Sequence, residues 1–334
     1  GGVIYGAWHW LAAPHQTWRV TERLVASLPY GNGLSAVGRR MGIDGREYGP
    51  LSFAVGNGEL AIADTYHRRL LWRPEGRLRA SWTVRALPDS LIGDVAWDGY
   101  RDAWVAADSR SVTIWLVRAA GVKPDIRIVS PEGMSLAWDQ VMVASGMVYL
   151  AWTEVGTGRF VAGLTRYRSN GRSTLVAGWG QTLDGAWVPE IPPLIHQPAL
   201  SYLVGNGGRI YLELPMADPH RVELAEFSAD GQELARWSFY TPSVIMASRL
   251  VGAEGGEVFV AINTGIMGQS AKVYSTAFNR PPTLQLTMPP PRVLLHTYVR
   301  VGAHGTLYWA VSTAQAYQVW SQRRRLVTTG GLHF

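Results

Sequence analysis

Seven residues could do chemistry by type and by place. Ser52, Asp94, Ser135, Ser201, Arg249, His296 and Arg300 each fall at or near the start of an apolar, strand-like segment. If those starts converge, one carboxylate stands among hydroxyls and guanidinium groups. Calcium wants a shell of oxygen ligands and zinc wants a set of His, Cys or carboxylate donors, so this group makes a poor metal cage. The chain has no Cys, which removes thiolate metal sites, Cys nucleophiles and disulfides together. Its eight histidines, His9, His15, His67, His196, His220, His296, His304 and His333, include no pair at ligand spacing on one element. Gly133-Met134-Ser135-Leu136-Ala137 lacks the closing Gly of a nucleophile elbow. Gly31-Asn32-Gly33 and Gly205-Asn206-Gly207-Gly208 do not open a helix whose N-terminus could hold phosphate. These readings assign no catalytic residue, no cofactor and no metal.

The elements that must position those residues are best read from Gly49 to Trp72. Phe53 and Val55 alternate with small residues, Asn57-Gly58 supplies a two-residue reversal that needs positive φ, and Leu60 to Ala63 is apolar enough to be buried on both faces. That pattern is a tight β-hairpin. At Asp64-Thr65-Tyr66-His67 the chain turns again, with Asp64 expected to accept local backbone N–H bonds in an Asx-turn. Arg69 to Trp72 then returns as a third strand. Pro74-Glu75-Gly76 turns once more toward Leu78 to Trp82. One such four-stranded sheet cannot cover its own faces, so neighbours of the same kind are required.

Five further passes of the same order fill the chain. They give a six-bladed β-propeller of four-stranded antiparallel blades, with boundaries near 49–88, 89–130, 131–178, 197–241, 242–290 and 291–334. A strand within Thr17 to Leu28, in the closing-strand and linker segment 17–48, is expected to complete the last blade and leave no open edge. The insert from Gly178 to Gln197 is expected to stand out from one face. Trp97-Asp98 and Trp138-Asp139 end first strands, and their rings read as wedges between neighbouring sheets; Tyr66, Tyr211 and Trp309 have the same reading. On this fold the seven residues of the opening list lie toward the axial channel, where the inner strands meet.

Pro50, Asn57, Gly58, Ala63, Asp64, Thr65 and Arg69 fall where an NHL repeat has its Pro, its Gly-Asn-type turn, its "VAD" strand end and its "TxNxR". The segment therefore resembles an NHL repeat, with His67 in place of the usual Asn. The resemblance implies a propeller, and an architectural contact in which Asp64 fixes the turn and Arg69 packs against it. Leu28 to Val55 also resembles secreted NHL-like proteins of spore-forming bacteria, which implies an extracellular or cell-surface setting. Gly1 in place of Met is what removal of an export signal would leave, and equally what any other trimming would leave.

Composition narrows the partners. Net charge is +6, and of 31 basic residues only Lys123 and Lys272 are lysines. Apart from Arg39-Arg40, Arg68-Arg69 and Arg323-Arg324-Arg325, the positive charge is dispersed along the strands, whereas a nucleic-acid protein concentrates it in a stripe. No apolar run reaches the ~18 residues that span a bilayer as a helix. The one segment outside the repeats is an apolar arm, residues 1–16, carrying Val3, Ile4, Tyr5, Trp8, Trp10 and Leu11. Such an arm adds as a strand to its own edge or to a neighbouring copy. The leading expectation is a non-enzymatic secreted propeller with structural or binding duties, its partner itself or another protein, assembling through that arm into a surface layer or filament. The alternatives are a lactonase- or lyase-like enzyme with an axial metal, and a peptide- or carbohydrate-binding propeller.

Overall fold

The computed structural model describes residues 15–42, 45, 47–87, 91–108, 113–128, 136–154, 160–182, 185–186, 189, 192–264, 271–288 and 298–329. The six assembly-arm residues named above therefore lie outside the described residues, as do Ser135 and His296. What is described forms a six-bladed β-propeller of antiparallel, four-stranded sheets. No described helix is long and apolar enough to cross a membrane.

In the first blade the strands run outward from the axis as Ser52–Gly56, Glu59–Asp64, Arg69–Pro74 and Thr83–Ala86. The other inner strands are Ile92–Asp98, Leu136–Ala144, Ser201–Val204, Ala247–Glu254 and Val299–Val301. Each inner strand touches the next, and Val299–Val301 returns to Ser52–Gly56 to close the ring. Asn57 and Gly58 have φ of 52° and 68°, the two positive values that a tight reversal matching strand twist requires.

Second strands lie mid-blade with a neighbouring sheet on either face, so Ala103–Asp108 and Ile210–Leu214 are buried along their whole length. Outermost strands meet solvent and alternate, as Glu233–Tyr240 does. Between blades the core is apolar: Leu60, Ile62 and Phe53 of the first blade pack on Tyr308, Ala310 and Tyr317 of the sixth. Trp97 is the expected wedge. It stands over Gly56 of the preceding blade, where a Cβ would lie 2.2 Å from its own, and meets Trp104 edge to face at 4.9 Å. The Trp138 side chain is outside the description.

Closure is as expected. His15–Pro29 is the outermost strand of the sixth blade and pairs with Ala316–Thr329 from His15 opposite Thr329 to Pro29 opposite Ala316.

Two expectations are corrected. The segment after Gly178 does not simply stand out from a face. The fourth strand of the third blade continues to Thr182, and after a short added strand at Gly185–Ala186 the chain returns beside it. There the Leu194 and Ile195 amides donate to the Leu175 and Val176 carbonyls, and Ile195 is buried. The reason is that the outer edge offers unpaired carbonyls that a returning chain can satisfy. Asp64, moreover, makes no side-chain cap bond to the 3-10 turn Thr65–His67. Its carboxylate reaches a distant segment instead.

Candidate functional site: the axial channel

Register shifts in three inner strands aim side chains at the axis. The second blade shifts between Ile92 and Asp94, the third between Trp138 and Gln140, and the fifth between Leu250 and Gly252. A bulge turns the side chain beside it, and here Asp94 and Gln140 are the residues beside it.

Asp94 is buried and joins three other blades. Its Oδ1 accepts from the Ser52 hydroxyl of the first blade and from Arg300 Nη2 of the sixth, and its Oδ2 accepts from the Val141 amide of the third at 2.8 Å. Arg300 also donates through Nε to the Phe53 carbonyl at 3.0 Å and through Nη2 to Ser52 Oγ at 3.2 Å. Charged donors on a carboxylate make short, strong bonds, and this set satisfies the only carboxylate among the expected axial residues.

Arg249 extends from the fifth blade toward the third, donating to Gln140 Oε1 at 3.4 Å. Ser201 turns outward: its hydroxyl donates to Glu213 Oε2 at 2.7 Å and accepts from the Leu250 amide at 3.0 Å. Ser248 donates to Glu213 Oε1. Glu213 is 2% exposed, and burial pushes its carboxyl up while the Ser248 and Ser201 hydroxyls pull it back. Glu213, Gln140 and Ser248 were not among the residues expected at the axis.

These contacts divide the channel. Toward the end where inner strands begin, a cavity of about 220 Å³ lies among the third, fourth and fifth blades, lined by Gln140, Thr153, Ser201, Tyr202, Ser248 and Arg249. Where they end, a wider bowl of about 340 Å³ is lined by Val55, Trp97, Val143, Asn206, Glu254 and Ala303 among others. Gln140, Arg249, Tyr298 and Arg300 surround the neck between them, which has room for about 20 Å³. Among the described residues, no three His, Asp or Glu side chains converge as metal ligands would.

The repeat turn forms a second polar centre, at the rim. Asp64 is fully buried. Its Oδ1 accepts from the Gly38 amide at 2.9 Å, and its Oδ2 from Arg69 Nε at 2.9 Å, with His67 Nδ1 at 2.7 Å. Arg69 continues to the Gly33 and Ala36 carbonyls. Thr65 donates to the Ile92 carbonyl of the next blade at 2.7 Å. The expected Asp64–Arg69 contact is present, and its work is to pin the 31–38 segment that follows the closing strand.

No family model matches the chain, and no curated protein matches it. Solved structures with a similar fold include a protein of unknown function from Bacteroides thetaiotaomicron, at 11% identity and a TM-score of 0.47, covering 92% of this chain and 77% of that one. A chain in a crystal structure of the mitotic checkpoint complex is similar at 10% identity and 0.46, covering 80% and 88%. A third is found in a crystal structure of BBS1N in complex with ARL6DN, at 16% identity and 0.39, covering 95% and 99%. None of these similarities bears on activity or partner.

Proposed function

We propose that this chain is a non-catalytic β-propeller that works by binding proteins, further copies of itself included, outside the cell or at its surface. The observation that supports this most is the Arg300–Asp94 contact. It places a cation on the carboxylate that an axial metal would need, and the Ser52 hydroxyl and the Val141 amide donate to it as well. A group so engaged braces four blades and is poorly placed to take up a metal or a proton from substrate. The NHL-like turn supports an architectural role for Asp64, Thr65 and Arg69. The resemblance to secreted NHL-like proteins supports the extracellular setting.

Self-assembly through the apolar arm is part of this proposal, and rests on the sequence of residues 1–13. Val3, Ile4, Trp8 and Trp10 would remove several hundred Å² of apolar surface from water, on the order of 5–10 kcal/mol before ordering costs. Size-exclusion chromatography and negative-stain imaging of the full chain and of a chain lacking residues 1–13 test it. The full chain should associate and the shortened one should stay a folded monomer. If the full chain is monomeric at high concentration and the shortened one unfolds, the arm belongs to its own propeller. A tightly held metal in purified protein, lost on Asp94→Ala, would move the reading to the enzyme.

A further inference from the structure

The closing strand and its partner build a basic groove that none of the preceding roles uses. We propose that this seam between the sixth and first blades binds a tetrahedral oxyanion, a phosphate- or sulfate-type group, on Arg23 and Arg323.

The register puts the ligands on one face. Thr21 pairs with Arg323, Arg23 with Ser321, and Ser321 on its other side with Tyr308. Paired residues share a face and side chains alternate along a strand, so all five stand on the same side of the sheet. They line a groove of about 970 Å³ whose far wall carries Glu75 of the first blade.

Glu75 is the one carboxylate in that lining, and both of its oxygens are engaged. Oε1 accepts from Arg23 Nη2 at 2.8 Å and Oε2 from the Tyr308 hydroxyl at 2.9 Å. Arg23 is held further by its neighbour Gly76, whose φ is +75°; a Cβ there would lie 2.9 Å from Arg23 Nη1. One guanidinium is thus positioned before any ligand arrives. Arg323 is exposed and makes no ion pair among the described residues. Burial, then Glu75, raises the Tyr308 hydroxyl, while Arg23 and Arg323 act in the opposite sense. Arg324 alternates to the other face, where its Nη2 donates to the Leu284 and Gln285 carbonyls of the fifth blade.

The groove therefore holds two guanidinium groups, Arg23 on Glu75 and Arg323 beside it, with the Thr21, Thr306 and Ser321 hydroxyls around them. Planar guanidinium forks match the oxygens of phosphate and sulfate.

Isothermal titration calorimetry on the full chain, at fixed ionic strength, tests this with inorganic phosphate, sulfate, acetate and phenyl phosphate. Phosphate and sulfate should bind with one site and acetate should not. Tighter binding of phenyl phosphate than of inorganic phosphate would assign the group to an ester on a larger molecule, and equal binding to the free ion. Arg323→Ala, a surface change, should weaken phosphate by about tenfold or more. Glu75→Gln should strengthen it, and Arg280→Ala, on an exposed edge of the fifth blade, should leave it unchanged. No saturable phosphate binding, or equal losses in Arg323→Ala and Arg280→Ala, overturns the proposal.

Discussion

Arg300 of the sixth blade meets Asp94 of the second across the inner strand of the first, so one ion pair ties together sheets that share no backbone hydrogen bond. Asp94→Ala leaves a guanidinium that is 13% exposed without its partner and should cost about 3–5 kcal/mol in urea unfolding. Adding Arg300→Met should recover part of that loss, because the stranded charge goes with it. If the double variant is no more stable than the single one, the pair does not act as a unit.

Asp64→Ala should cost about 3–5 kcal/mol, well above the ~1 kcal/mol of an ordinary turn or cap bond, since it strands buried Arg69 and frees the Gly38 amide. Limited proteolysis should then cut within residues 31–38 at native conditions. A variant that resists protease there, with a loss near 1 kcal/mol, would show the contact to be merely local.

Gly56→Ala should destabilise by about 1–3 kcal/mol, because the added methyl has no room beside the Trp97 side chain. In a Trp97→Gly background, which removes the Cβ that it would meet as well as the ring, the same change should cost far less. A double-mutant cycle measures the difference, and additive effects would contradict the packing described.

Glu213 gives a pH dependence with a definite sign. Its folded pKa is raised by burial, so the native state holds the proton to a higher pH than the unfolded chain does. The stability it contributes is full below the ordinary carboxylate range and is lost as pH rises through the folded value. Glu213→Gln keeps hydrogen-bonding groups for Ser201 and Ser248 and removes the titration. Urea unfolding from about pH 4 to 8 should show wild type losing stability relative to the variant as pH rises. Parallel curves would mean that the carboxyl titrates normally.

How much of this was legible in sequence depends on distance along the chain. The Asn57-Gly58 reversal is a two-residue matter and reads directly. The alternation of strands and turns reads blade by blade, and with it the propeller and its closing strand. Asp64 was recognisable as a motif residue, yet its main-chain partner, Gly38, lies in a linker with no pattern of its own, so a local turn bond was the natural expectation. Arg300 and Asp94 both stand near inner-strand starts in the sequence, but only the ring's curvature brings them together. Glu213 left one signal, a charge inside the otherwise apolar run Ile210–Leu214. Pairing with Ser201 on the adjacent strand explains why it is tolerated there.

The way His15–Pro29 completes the sixth blade also sets an order of events during synthesis. Pro29 and its partner Ala316 are translated about 290 residues apart, a wait of about 15–60 s at the roughly 5–20 residues per second of a ribosome. For that interval a long strand with Val20, Leu24 and Val25 has no sheet to join. Blades one to five can pack as they emerge, but the ring stays open until Ala316–Thr329 arrives, and so non-local a pairing makes closure slow and exposed to intermolecular strand exchange.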